Sequence, residues 1–431
     1  MKSPAQYVRL ALAVSLLAGL ALSSAACSKE DAPAVIVLGP WTGDEGKSFK
    51  AVLKLFRDKH RIGFIYEGTT SVRETLLAQV QDDSPPDIAI LPSLGELTKY
   101  AHDGELVPLP KAVRERSPAP WSPELSVDGR TNTYWTPVKI DLKSVVWHYP
   151  DRPATKGDWC LGMGSGATSG WPGSDWIEDI LLQQAGPRVY ENWATGALSW
   201  QDDHVRSAWK TWGRIVTAGS HDQAKDALAN NFKATDDKGL LKPPPAAGCT
   251  REHQGSFIRG LYGPEVRFVT TTDAVRELAN DRRAYEVAGD MAAMFRDSAE
   301  ARKLLTFLTD KEARTAWASD ADGDGDDNGN GDKRNRPFFP VSVGKYSEEW
   351  GNRSVDRTLR SATQLCVDAS DAMPPNLVGA FHRAVLDYLG YLSAPEDRDS
   401  PLESLLKLLE DERGRQHKSA TPQVPSVCAT P

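Results

Sequence analysis

Residues 39–48 read GPWTGDEGKS, between the apolar run Val35–Leu38 and a second apolar stretch that starts at Phe49. Strand, glycine loop ending in Gly46-Lys47-Ser48, then helix is the frame of a phosphate-binding loop. That loop needs a glycine where Trp41 stands, so that unhindered backbone amides can converge on the anion. Asp44 and Glu45 would also repel a polyphosphate. Thr42 and Glu45 have instead the spacing of a capping box, with Thr42 as N-cap and Glu45 three positions into the helix. The chemistry left is an indole at a strand end beside small polar groups, which suits the apolar face and hydroxyl rim of a sugar. A packed loop tryptophan accounts equally well for Trp41 taken alone.

A second aromatic group lies in SGWPGSDWIED, residues 169–179. Ser174 reads as an N-cap, Asp175, Glu178 and Asp179 favour the first turns, and Gly186-Pro187 ends the helix. Trp171 and Trp176 are therefore expected on the loop and first turn of that helix, able either to stack on a ligand or to wedge under the loop. Gly162–Ala167 fits a loose G-x-G-x-x-A pattern, but no helix follows it directly and no acidic residue stands at the ribose distance. No G-x-S-x-G, H-E-x-x-H or Cys/His nucleophile spacing occurs, and the eight histidines are scattered.

The elements that must position these residues follow from periodicity. Strands are expected at 35–38, 62–66 and 87–91. Helical faces run through Phe49, Val52, Leu53 and Phe56, then Val72, Leu76, Leu77 and Val80, then Leu94 to Tyr100. This alternation predicts a parallel sheet with helices on its faces, and ligands in such sheets sit beyond the carboxyl ends of the strands. Longer helices carry the core stripes Val205, Ala208, Trp209, Trp212; Val378, Phe381, Val385, Leu389; and Leu402, Leu405, Leu406, Leu409.

The chain has 431 residues, enough for two or more lobes. Lys2 and Arg9, an apolar stretch from Leu10 to Leu22 and small residues before Cys27 have the layout of a secretory signal, 1–26, too short for a spanning helix. It resembles a lipoprotein signal, with Cys27 as the lipidated N-terminus and 27–33 as an anchor linker. The net charge of −8 comes without a basic stripe, so nucleic acid is not an expected partner. Outside the cytoplasm Cys160, Cys249, Cys366 and Cys428 should pair, and four cysteines allow three connectivities.

Two segments read as loosely ordered: the acidic insert 320–336 and the tail 416–431, which Cys428 could pin back. In the insert, Asp320, Asp322, Asp324, Gly325, Asp326 and Asn328 follow the first positions of an EF-hand loop, but Gly331 stands where the bidentate glutamate belongs. A solvated loop is the favoured reading, and weak calcium binding by Asp320, Asp322, Asp324 and Asp326 is its alternative. No other cofactor is expected.

Several blocks occur in the order seen in one known family: PWTGDEGKSFKAVLKLF, SPPDIAILPSLGELTKYAHDGELVPL, PVKIDLKSVVW, SGWPGSDWIED with the preceding Cys160, AGDMAAMFRD and DASDAMPPNLVGAF. Over about Val35–Leu392 the chain resembles extracellular solute-binding proteins of carbohydrate ABC transporters, particularly the alpha-glucoside-binding group. The resemblance implies a two-lobed periplasmic-binding-protein-like α/β fold with a hinge and a ligand cleft between the lobes. It implies a monomer outside the cell, a carbohydrate ligand, permease subunits as partners, contact with the membrane through the lipid anchor only, and no enzyme activity. It also implies the pairs Cys160–Cys249 and Cys366–Cys428.

By the same resemblance, Thr136–Asp141 is the first crossing between lobes and Ala288–Phe295 returns to the first sheet. The N-terminal lobe would comprise 34–140 and 284–312, and the C-terminal lobe 141–283 and 313–415. The expected cleft residues are Trp41, Thr42, Glu45, Glu67, Asp87, Trp171, Asp175, Trp176, Asp290 and Asp371. For Asp87 and Asp371 a capping role is the plainer alternative. The chain departs from the family pattern at 262–286, at Ala288 where a glycine is usual, and in the acidic insert, which puts the usual solute in doubt more than the fold. A sugar-binding sensory or adhesive lipoprotein, or a glycosidase with two carboxylates across a cleft, are the competing functions.

Overall fold

A computed structural model describes residues 34–152, 157–234, 238–243, 248–318, 336–341, 352–394 and 400–431. The signal, Cys27 and the four aspartates of the acidic insert lie outside the described residues.

The alternation at the N-terminus forms as expected. Strand β1 (Ala34–Gly39) leads into a helix, Gly43–His60; β2 (Gly63–Gly68), a helix Val72–Gln81, β3 (Ile88–Leu91) and a helix Leu94–His102 follow. β1 pairs in parallel with both β2 and β3. Phe49, Val52, Leu53 and Phe56 are fully buried, the stripe that glues the first helix to the sheet. A small hairpin, β4 (Leu125–Val127) and β5 (Arg130–Asn132), precedes two long connections.

The sheet is mixed, not parallel throughout. Strand β6 (Trp135–Leu142) runs out of the first lobe into β7 (Val145–His148), which pairs antiparallel with β8 (Arg251–His253) and β9 (Arg267–Thr270) in a separate three-stranded sheet. The chain returns along β10 (Ala284–Met294), eleven residues long and antiparallel to β6. One half of β10, Ala284–Val287, pairs with β11 (Gln364–Val367) on the C-terminal side. The other half, Met291–Met294, pairs with β3 on the N-terminal side. β6 and β10 thus cross between the lobes side by side. A register shift at Asp290/Met291 breaks their ladder where the crossing lies, the kind of irregularity that re-aims side chains.

We assign the lobes from packing. The helix Lys311–Ala318 lies against the Gly43–His60 helix, and Trp317 sits 5.2 Å from Phe49 and 5.4 Å from Trp41 between ring centroids. This helix, which the expected boundary at 312 would give to the C-terminal lobe, packs on the N-terminal one. The C-terminal lobe is largely helical. Trp209 and Trp212, buried as expected, meet Phe381 and Tyr388 of the helix Pro375–Ser393.

The tail departs from expectation. The helix Leu402–Lys418 continues beyond residue 415, Val424 and Val427 are buried, and β12 (Cys428–Ala429) pairs with β11. The Cys366–Cys428 bridge lies in that pairing, and Cys160–Cys249 closes the other pair, with Cα separations of 4.0 and 5.1 Å. Two apolar anchors and a disulfide outweigh the Pro/Ser-rich composition that suggested looseness. Among the described residues no helix is long and apolar enough to cross a membrane.

Candidate functional site

A cavity of ≈ 390 Å³ opens where β6 and β10 cross. Trp41, Glu45, Arg73 and Ser93 line it from the N-terminal lobe. Lys139, Asp141 and Asp290 line it from the crossing strands, and Trp171, Asp175, Phe257, Asp371 and His382 from the C-terminal lobe.

Trp41 follows β1 and is held from both sides. Its backbone N–H donates to Tyr66 Oη at 3.2 Å, Tyr66 Oη donates back to its carbonyl at 2.9 Å, and its indole N–H donates to Asp290 Oδ2 at 3.2 Å. Phe49 and Trp317 pack edge-on against the ring, which leaves it 4 % exposed, so only part of the indole faces the cavity. Thr42 occupies the N-cap position but its side chain makes no cap bond. Glu45 does not close a capping box either, because Lys139 Nζ takes its Oε1 at 2.9 Å. The buried ammonium of Lys139 offers this half-exposed carboxylate more than a backbone N–H does. Lys47, the lysine of the apparent phosphate loop, makes a surface ion pair with Asp44 at 2.8 Å.

Gly170 shapes the second wall. The helix starts at Trp171, three residues before Ser174, with Gly170 as its N-cap at φ 106°; a Cβ there would stand 2.4 Å from His382 O. Only glycine fits that close approach with that backbone. Pro172 occupies the first turn, where it lacks nothing, and Ser174 Oγ donates back to Trp171 O at 2.9 Å. Trp171 is partly exposed, edged by Phe232 at 4.9 Å, with Lys143 Nζ 5.2 Å from its ring centroid.

Charge is concentrated at the crossing. Lys139 is pushed above its ordinary pKa; burial works against its charge, but Glu45, Asp141 and Asp290 outweigh it. Lys143 lies 2.5 Å from Asp175 Oδ2 and 3.1 Å from Asp368 Oδ2. Burial raises Asp290 to about 6 and Asp175 to about 7 despite these lysines. Asp371 is also raised, by burial and by Asp368. Asp368 is held below the ordinary range although burial opposes it, because Lys143 and hydrogen bonds from Ser370 Oγ and the Asp371 N–H favour its charge.

Six of the ten expected residues line the cavity: Trp41, Glu45, Trp171, Asp175, Asp290 and Asp371. The other four do not. Thr42 is exposed beside it. Glu67 points to the opposite face of edge strand β2 from Tyr66 and accepts from Gln79 Nε2 at 3.2 Å, as the two-residue alternation of a strand requires. Asp87 precedes β3, at the far end of the strand from the cavity, and its carboxylate accepts the Ile36 N–H at 2.8 Å. Trp176 is 1 % exposed, stacked on His253 at 4.2 Å; five residues along a helix turn it about 140° from Trp171.

The lysines Lys139 and Lys143 were not among the expected site residues, yet the sequence carries a signal for them. In VKIDLK, Val138, Ile140 and Leu142 are fully buried on one face, and Lys139, Asp141 and Lys143 alternate with them. Three charges at period two in a crossing strand place a polar stripe on its other face.

No family model matches the chain. It is 27% identical over 406 residues to the alpha-glucosides-binding periplasmic protein AglE of Rhizobium meliloti (strain 1021), covering 84% of each chain. It is 28% identical over 398 residues to the osmoprotective compounds-binding protein GgtB of Synechocystis sp., covering 84% of this chain and 90% of the relative. Among solved structures, a chitin oligosaccharide binding protein superposes with a TM-score of 0.64 at 17% identity, over 89% of this chain and 100% of that one. The fold is that of the two-lobed solute-binding proteins, and the sequence likeness to binding proteins of this kind extends along most of the chain, which bears out the resemblance carried by the sequence blocks.

Proposed function

We propose that this chain is the extracellular solute-binding component of an ABC importer, taking up a short oligosaccharide or glycoside and handing it to a permease. Its task is capture, not catalysis. The observation that carries the reading is the interlobe cavity itself, where the partly exposed Trp171 faces carboxyl groups contributed by both lobes and by the crossing strands. Trp171 stacks on a sugar ring, and Asp290 and Asp371 accept its hydroxyl hydrogen bonds. The lobes close over the solute about β6 and β10. A lipid on Cys27 keeps the monomer at the outer face of the membrane. The relatives' names set the first solutes to try, alpha-glucosides and then osmoprotective glycosides.

The test is a thermal-shift screen of the mature protein with Cys27 replaced, against mono- and oligosaccharides, with calcium and ATP as separate additions. A solute that binds only the folded state at one hundred times its Kd stabilises it by about 2.7 kcal/mol. The expected result is a concentration-dependent rise with one sugar class, lost in Trp171→Ala. A screen in which every sugar is silent, or ATP alone acts, overturns the reading.

A further inference from the structure

Behind the cleft wall four carboxyl groups converge on one ammonium. Asp175 and Glu178 come from the first turns of the helix Trp171–Ala185, Asp368 from the turn after β11 and Glu286 from the crossing strand β10. They are 3 %, 0 %, 2 % and 0 % exposed respectively. Lys143 touches two of them, Asp175 and Asp368. Glu178 Oε2 accepts the Ser370 N–H at 3.1 Å, while its Oε1 has no hydrogen-bond partner. Both carboxyl oxygens of Glu286 lack one as well.

The neighbouring Asp179 shows what a structural carboxylate in this interior looks like. Ser144 Oγ at 2.7 Å, Thr271 Oγ1 at 2.5 Å, Gln183 Nε2 at 2.9 Å and His253 Nε2 at 3.0 Å all address it. Glu178 and Glu286 have no such surroundings. Buried carboxylates in excess of their cations are neutralised either by protons or by a bound ion.

The geometry suits an ion. One oxygen each from Asp175, Glu178 and Asp368 lies within 4.8 Å of the other two, the spread of ligands around a calcium with bonds of about 2.3–2.6 Å. Glu286 stands outside this group of three, but its charge acts on all of them and neither of its oxygens has a hydrogen-bond partner. We infer that Asp175, Glu178 and Asp368 form a buried site for a hard divalent cation, calcium in the first instance, set beside Lys143 and behind the solute cleft, with the charge of Glu286 close by. An all-oxygen set disfavours zinc and copper, and dedicated protein cages suit calcium better than magnesium, which keeps its waters. The ion would tie the helix Trp171–Ala185 to the turn after β11 and fix the wall that carries Trp171.

The experiment uses the full mature chain, Cys27 replaced, stripped with a chelator and titrated with calcium chloride by calorimetry and by thermal melting. Glu178→Gln and Glu286→Gln probe the buried site, and a paired Asp322→Asn/Asp324→Asn variant controls for the acidic insert. One calcium per chain is expected in the wild type and in the insert variant, with a rise in Tm. Either glutamine variant should weaken it by more than about tenfold, since affinity follows the negative charge gathered around the ion, while melting in chelator no lower than the wild type. Should one glutamine variant fail to fold, the other carries the test. Absence of binding in the wild type, or binding kept by the glutamine variants and lost in the insert variant, overturns the site and leaves the cluster neutralised by protons.

Discussion

Asp290 sits where binding and stability pull in opposite directions. Burial, with Asp141 and Glu45 adding to it, raises its pKa to about 6 against the opposition of Lys139 and the Trp41 N–H. A raised carboxyl binds its proton more tightly in the folded state, so its contribution to stability is complete below the ordinary value near 4 and lost as pH rises through about 6. Asp290→Asn should therefore stabilise the solute-free protein at pH 7.5 by about 1–3 kcal/mol, and hardly at all at pH 4. The same change should weaken solute binding by about 1.5–3 kcal/mol, the worth of a hydrogen bond to a charged group. Denaturant unfolding at the two pH values and calorimetric titration check both halves, and an unchanged affinity would remove Asp290 from the site. At this scale residue type was readable, and it brought Trp171 and Asp175 to the cavity wall. It misled where the angle within an element decides, as at Trp176, turned into the core by its helix, and Glu67, turned outward by its strand.

Among the elements, the first lobe and the segment after β11 approach closely at Gly95 in the helix Leu94–His102. A Cβ there would meet Met373 O at 2.1 Å, and the capping Ser93 Oγ donates to Asp371 O at 3.3 Å in the same contact. Asp371, a cleft residue, is thus positioned by an N-terminal-lobe helix end. Gly95→Ala should cost about 1–3 kcal/mol by overpacking and displace Asp371. Unfolding midpoints and solute affinity should fall together; a variant as stable and as tight as the wild type would show that the contact gives freely. Periodicity made most helices and strands legible because apolar stripes are local. The start of the helix at Trp171 was not, because Gly170 is chosen by the carbonyl of His382, more than 200 residues away in sequence. The ordered tail was hidden for a similar reason, since β12 exists only through its partner β11.

Across the whole molecule, one architectural choice explains the site: β6 and β10 run side by side between lobes, with their ladder interrupted at Asp290. In the proposed closure Lys139, Asp141 and Asp290 would stand at the pivot, and Asp290 would be the solute contact that moves least. Alternating strands and helices announced a sheet with helices on its faces, and the family resemblance implied the two lobes. The antiparallel return of β10 and the N-terminal placement of Trp317 depend on long-range pairing and packing, which periodicity does not carry. The central claim is capture by closure about this pivot, and hydrogen exchange along the two crossing strands, with and without the sugar found by the thermal screen, addresses it directly. Amides of Thr136–Asp141 and 288–290 should slow markedly when the sugar is present, and not in Trp171→Ala. A sugar that binds tightly yet leaves exchange along both strands unchanged would contradict it.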